Sequence, residues 1–149
     1  MAEFFEGRCH CGAVRFEVEL LGSLATAQRC NCSYCSMRGS VTLAAKSTEL
    51  KVVKGYDVLR VYTFGSHTAQ HFFCARCGVH THHQLRSNGK LVAVNAACLD
   101  GLGPFDFEVV PVLDGASLPE EAGPVREPAP VGTVTFAPDF ARPDDLPEA

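Results

Sequence analysis

Seven of the eight cysteines in this chain fall into three tight clusters, and no other feature limits its fold as strongly. The clusters are Cys9-His10-Cys11, Cys30-Asn31-Cys32-Ser33-Tyr34-Cys35 and Cys74-Ala75-Arg76-Cys77-Gly78. Two of them are pairs, which together close one four-sulfur zinc site. The third is a triplet, and three sulfurs leave a tetrahedral zinc one ligand short. Structural zinc sites are closed, whereas catalytic ones keep a position open for water or substrate. Four plus three therefore points to two Zn2+ per chain with different jobs.

Disulfides are the competing use of clustered thiols. Cysteines one residue apart are poorly placed for disulfide geometry. The start, Met1-Ala2-Glu3-Phe4-Phe5-Glu6, has neither the basic residues nor the apolar stretch of a secretory signal. The expected setting is a reducing cytoplasm, where such clusters bind metal. No run of eighteen apolar residues occurs, so no membrane span is expected.

The spacing carries further detail. The two-residue gap of Cys74 and Cys77 lets both sulfurs reach one metal, and Gly78 can take the positive φ after a tight knuckle. A redox pair would belong near a βαβ pattern, which is missing. With Cys9 and Cys11 as partners, the pair reads as structural zinc that joins segments about sixty residues apart, so zinc binding should be part of folding. Cys30, Cys32 and Cys35 form a compact tripod with an open position. Cys98 or a histidine could close it and make it structural; otherwise Cys98 is a small buried residue.

Short alternating runs dominate the chain. Val14, Phe16, Val18 and Leu20 alternate with Arg15, Glu17 and Glu19, the period of a half-buried strand. Further strand candidates are residues 41–45, 50–54, 58–64, 69–74, 80–85, 91–95 and 107–112, each bounded by Gly, Ser, Asn or Asp. Asn88-Gly89 marks a hairpin, and residues 33–38 could make one helical turn. The expected class is all-β, with small zinc-stapled antiparallel sheets.

Charge is unevenly spread. Residues 1–113 hold eleven Lys/Arg against nine Asp/Glu, and residues 114–149 hold two against eight, which gives +2 and −6 and the net −4. Two thiolate-bound zincs would bring the first part to about −1. That argues against a strong electrostatic grip on nucleic acid, which needs many neutralised phosphates. Seven of the nine prolines lie between Pro119 and Pro147 among acidic residues, and Thr133-Val134-Thr135-Phe136 is the one strand-like piece there. The expected organisation is a zinc-binding β domain over 1–115 and a Pro-rich acidic tail over 116–149. Composition predicts a tail that is extended or partly disordered, either solubilising or acting as a strap over a groove or partner.

Among the histidines, His67 and His71 precede the Cys74 knuckle, and His80, His82 and His83 follow it. Strand periodicity puts His80 and His82 on one face and His83 on the other. His80 or His82 is then the candidate acid–base group or substrate contact near the open zinc. Arg86 could bind a substrate carboxylate.

These motifs resemble those of the glutathione-dependent formaldehyde-activating enzyme family, also called the centromere protein V family. The likeness is carried by Gly7-Arg8-Cys9-His10-Cys11-Gly12-Ala13-Val14-Arg15-Phe16, by Cys30 to Cys35, and by His71-Phe72-Phe73-Cys74-Ala75-Arg76-Cys77-Gly78-Val79. Arg86-Ser87-Asn88 and the segment Asn95 to Asp100 add to it. It covers roughly residues 7–113 and not the tail. The resemblance implies a zinc-bridged β-tent fold, with Cys9, Cys11, Cys74 and Cys77 as structural zinc ligands and Cys30, Cys32 and Cys35 as catalytic ones. It implies a carbon–sulfur lyase that joins glutathione to formaldehyde to give S-hydroxymethylglutathione. Residues 62–79 look especially like the centromere branch, whose role is in chromatin. Two functions are therefore expected to compete: an enzyme for a small thiol and a small electrophile, and a non-catalytic zinc module that binds a protein or chromatin partner.

Overall fold

The computed structural model describes residues 2–119 and 125–137. Ten strands and one short helix make up its main elements. Seven strands form one antiparallel sheet: β1 (Phe4–Arg8), β2 (Arg15–Leu20), β4 (Thr42–Lys54), β5 (Leu59–Tyr62), β6 (Gln70–Cys74), β7 (His80–Gln84) and β8 (Leu91–Asn95). Their spatial order is β1-β2-β4-β8-β7-β6-β5. A second sheet contains β3 (Arg29–Cys30), β9 (Val109–Leu113) and β10 (Pro130–Thr135), with β9 in the middle. The pairing of β3 with β9 is parallel and that of β10 with β9 antiparallel. The class is all-β, as the alternating runs indicate. None of the described helices is long and apolar enough to cross a membrane.

The alternation of β2 explains where the core lies. Phe16, Val18 and Leu20 are buried, while Arg15 and Glu19 point to solvent. They pack with Val41, Leu43, Ala45, Val92, Val94, Leu99, Phe107 and Val110. Gly7 has to lack a side chain, because a Cβ there would meet the Phe16 ring at 2.4 Å.

Two expected strands, 41–45 and 50–54, are in fact the two halves of β4. The register against β2 jumps from Val18↔Leu50 to Leu20↔Ala45. The polar residues 46–49 thus bulge outward without ending the strand, and the Ser47 N–H still donates to the Lys90 carbonyl at 2.9 Å. The Asn88-Gly89 step lies in the loop of the β7–β8 hairpin. The helical turn expected at 33–38 is present as α1 (Ser33–Arg38).

The Gln28 and Thr42 backbones exchange hydrogen bonds of 3.0 and 2.9 Å. Residues 28–30 therefore bridge the two sheets, and the cysteine triplet starts at that bridge. In the tail, residues 133–135 of the strand-like piece belong to β10 and Phe136 follows it. Residues 120–124 and 138–149 lie outside the described residues.

Candidate metal centres

Two sulfur clusters sit at different places on this framework. Cys9 and Cys11 lie in the turn between β1 and β2, Cys74 ends β6, and Cys77 lies in the turn between β6 and β7. These segments meet across a sequence separation of 63 residues from Cys11 to Cys74. All four sulfurs lie within 4.8 Å of one another. The Cys9–Cys11 and Cys11–Cys74 sulfur separations are 3.6 and 3.8 Å. A tetrahedral zinc with bonds of about 2.3 Å sets its sulfurs about 3.8 Å apart, so the spacing suits that ion.

Backbone amides support these sulfurs. The Val14 N–H donates to Cys9 Sγ and the Arg76 N–H to Cys74 Sγ, both at 3.3 Å. Gly12 (φ 75°) and Gly78 (φ 77°) take the left-handed conformation that releases the chain from each knuckle. Desolvation would raise the Cys77 thiol, but backbone hydrogen bonds at Cys11 and Val79 help hold it at about 6. Cys9, Val14 and Cys74 form a small buried cluster of their own, flanked by Val52, Val58, Leu59 and Val79.

The triplet is built differently. Cys30 ends β3, Cys32 is the N-cap of α1, and Cys35 sits in the first turn of that helix. The Cys32 N–H donates to Cys30 Sγ at 3.4 Å and the Cys35 N–H to Cys32 Sγ at 3.3 Å. The three sulfurs lie within 4.8 Å of one another, and among the described residues no other His, Cys, Asp or Glu joins the group. The thiols of Cys30 and Cys35 donate to Cys32 and pull its pKa down to about 2. Cys30 and Cys32, with burial, push the Cys35 thiol upward.

One face of the tripod opens on a cavity of about 540 Å³. His71 and His83 line it beside the three cysteines, and Arg29 and Arg86 belong to the same wall. Arg38, one turn beyond Cys35, ties the tripod to the histidines. Its Nη2 donates to Cys35 Sγ at 3.6 Å and its Nη1 lies 3.4 Å from His71 Nδ1. The Arg38 guanidinium also stands 5.1 Å above the Tyr34 ring, which packs on His71 at 4.4 Å. Burial, and then the Arg38 charge, lowers the pKa of His71 to about 4 and that of His83 to about 3. Both imidazoles are therefore neutral near pH 7.

The face assignment of the histidines needs correction. A register shift between Phe72 and Phe73 pairs Phe72 with His82 but Phe73 with His80, which leaves Thr81 as the extra residue of a bulge. His80 and His83 therefore share a face, with ring centroids 5.7 Å apart. His82 points the other way and stacks on Phe72 at 4.5 Å. Of the two histidines expected beside the open site, His82 packs in the apolar interior and His80 is buried behind His71 and His83. His83 takes the place expected for them. Cys98 sits in the main core, its thiol 3.4 Å from the His80 carbonyl and pushed up to about 12 by burial. It does not join the tripod.

Arg38 and Tyr34 are further site residues beyond those expected from the sequence, and so is Gly115, which lines the cavity beside Cys30. Helical spacing from Cys35 would have found Arg38. No sequence signal links Gly115 to Cys30.

Two cysteine clusters with metal-ligand spacing on an antiparallel sheet, one of them at a cavity, could each hold zinc. The family model for the glutathione-dependent formaldehyde-activating enzyme matches residues 4–111. The chain therefore belongs to the glutathione-dependent formaldehyde-activating enzyme family. It is also similar to a Rhodobacter sphaeroides protein of known crystal structure, with 50% sequence identity and a TM-score of 0.70. That match covers 72% of this chain and 98% of the other.

Proposed function

We propose that this protein is a zinc-dependent carbon–sulfur lyase of the cytoplasm that adds glutathione to formaldehyde, giving S-hydroxymethylglutathione. The observation that carries the reading is the tripod of Cys30, Cys32 and Cys35 facing a cavity with no fourth protein donor among the described residues. Cys9, Cys11, Cys74 and Cys77 are assigned a second, structural zinc. A zinc held by the tripod supplies a seat for a thiol and keeps that thiol deprotonated near neutral pH, where a free thiol of pKa about 8.5 is only a few per cent ionised.

The chain's own groups do the rest. About 540 Å³ is within the usual range for a small-molecule pocket. Arg38 offsets the negative charge of three thiolates through its contact with Cys35. His71 and His83, neutral by burial, offer hydrogen-bonding nitrogens without adding cationic charge. Arg86 and Arg29 face the same space and suit the carboxylates of glutathione. In the addition the thiolate sulfur bonds to the aldehyde carbon. The carbon–oxygen π pair moves to oxygen, and the proton given up by the thiol ends there. A purely structural module would call for a fourth donor to close the tripod.

Cobalt substitution tests the reading. Glutathione added to the two-metal cobalt protein should shift the absorption bands of the tripod and leave those of the four-sulfur site unchanged. The addition also proceeds without a catalyst, so turnover has to be measured above the buffer rate. No spectral shift together with no excess turnover would reject the thiol-enzyme reading.

A further inference from the structure

The family match ends at residue 111, yet the residues directly after it lie against the triplet. Arg29 and Cys30 pair with Val112 and Leu113 in parallel, and the Asn31 N–H donates to the Leu113 carbonyl at 3.1 Å. The Asn31 side chain is clamped on both sides. Its Nδ2 donates to Asp114 Oδ1 at 3.0 Å, and its Oδ1 accepts the Ala116 N–H at 2.8 Å. Between these two contacts sits Gly115, where an added Cβ would lie 2.4 Å from Cys30 Sγ and 3.3 Å from the Cys32 Cβ. Gly115, Ala116, Leu118 and Pro128 go on to line the cavity.

β10 shows what keeps this segment in place. All its residues are exposed, so core burial does not account for it. Its ladder runs along β9 up to the pair Pro130↔Leu113, and the Asp114 N–H donates to the Ala129 carbonyl at 2.8 Å. The strand therefore pins the end of β9 from which the clamp on Asn31 emerges. The boundary that composition suggests at 115/116 falls inside the wall of the cavity.

We infer that residues 112–118, held by β10, are a working wall of the tripod site, and that Gly115 is a positioning residue for the Cys30 sulfur. This rests on the triplet being a metal site. A free cysteine side chain could swing away from an alanine at 115 at little cost to the fold. A metal ligand cannot, because its sulfur is fixed by the ion. Adding one methyl group at 115 should then remove the tripod metal and leave the protein folded.

The experiment counts zinc per chain by elemental analysis, with far-ultraviolet circular dichroism on the same samples. Wild type should hold two zincs. Gly132→Ala, at a β10 glycine with nothing within 4 Å of its added Cβ, should also hold two. Gly115→Ala should hold one, with an unchanged dichroism spectrum and intact cobalt bands for the four-sulfur site. Two zincs in Gly115→Ala at wild-type affinity would overturn the inference while leaving the proposed function intact. One zinc in the wild type would remove both. Should Gly115→Ala fail to fold, Asp114→Ala takes its place. Losing the Asp114–Asn31 hydrogen bond should weaken tripod zinc binding roughly fivefold in a chelator competition, and an unchanged affinity would overturn the inference.

Discussion

The two sulfur clusters solve one chemical problem in opposite ways. The four-sulfur cluster joins two turns far apart in the chain, buries Cys9 and Cys74, and sits on its own small apolar patch. The triplet takes its sulfurs from six consecutive residues and opens on a cavity. Ligands drawn from distant segments close a long loop, so a metal there stabilises the fold against a high-entropy alternative. Ligands drawn from one short segment close almost no loop, and a metal there is nearly independent of folding. The difference predicts that the first site is for stability and the second for chemistry.

The largest expected effect tests the first half of that contrast. Cys74→Ser removes a fully buried sulfur of the four-cysteine cluster. Apparent binding energies of structural zinc are about 10–16 kcal/mol, against a total stability of about 5–15 kcal/mol for a domain. The variant should therefore be unfolded at 25 °C, with its β-sheet dichroism lost and no cooperative urea transition. A folded Cys74→Ser protein with one zinc would erase the contrast.

A second prediction asks whether acid sensitivity belongs to the sulfur sites alone. His82 is buried between Phe16 and Phe72, and burial lowers its pKa from 6.5 to about 4. The folded state therefore binds fewer protons than the unfolded chain between those values. Its stability contribution is complete above about pH 6.5 and is lost as pH falls towards 4. At pH 5 the loss is about 2 kcal/mol for this residue. His82→Phe cannot be charged, though it gives up the 2.9 Å contact of Nδ1 with the Thr81 hydroxyl. Urea titrations at pH 7 and pH 5 should show the variant losing about 2 kcal/mol less than wild type over that interval. Equal losses would take the acid sensitivity away from His82 and leave it to the thiolates and to other buried imidazoles such as His71 and His83.

Much of the fold could be read from the chain because it rests on local periodicity. The alternation of residues 14–20 marks β2 and its buried face, and the Ser33–Arg38 turn and the Asn88-Gly89 loop are signalled by local chemistry. What was not legible depends on partners. β3 has two residues and exists because Leu113 lies beside Cys30. β1 begins with two adjacent aromatics at a sheet edge and shows no simple alternation. The bulge at Thr81 breaks the period of two, and with it the side of the sheet on which His80 and His83 fall. At the site, the grouping of the cysteines is visible in their spacing. Arg38 follows from helical spacing on Cys35, but the contributions of Asp114 and Gly115 are fixed by tertiary packing, to which neither spacing nor composition has access.

The smallest expected effect is the sharpest test of the contrast, because it asks for a change in metal content with almost none in stability. Cys32 is both a tripod sulfur and the N-cap of α1, where it accepts the Cys35 N–H at 3.3 Å. Serine is among the preferred N-cap residues, so Cys32→Ser keeps the cap while it removes the soft ligand. The helix should stay formed, and stability should change by less than about 1 kcal/mol, on the scale of cap substitutions. Zinc content should fall from two to one per chain, and the glutathione-induced shift of the cobalt bands should disappear. If Cys32→Ser unfolds like Cys74→Ser, the tripod is a second staple of the fold, and its proximity to the cavity has to be explained by something other than a thiol seat.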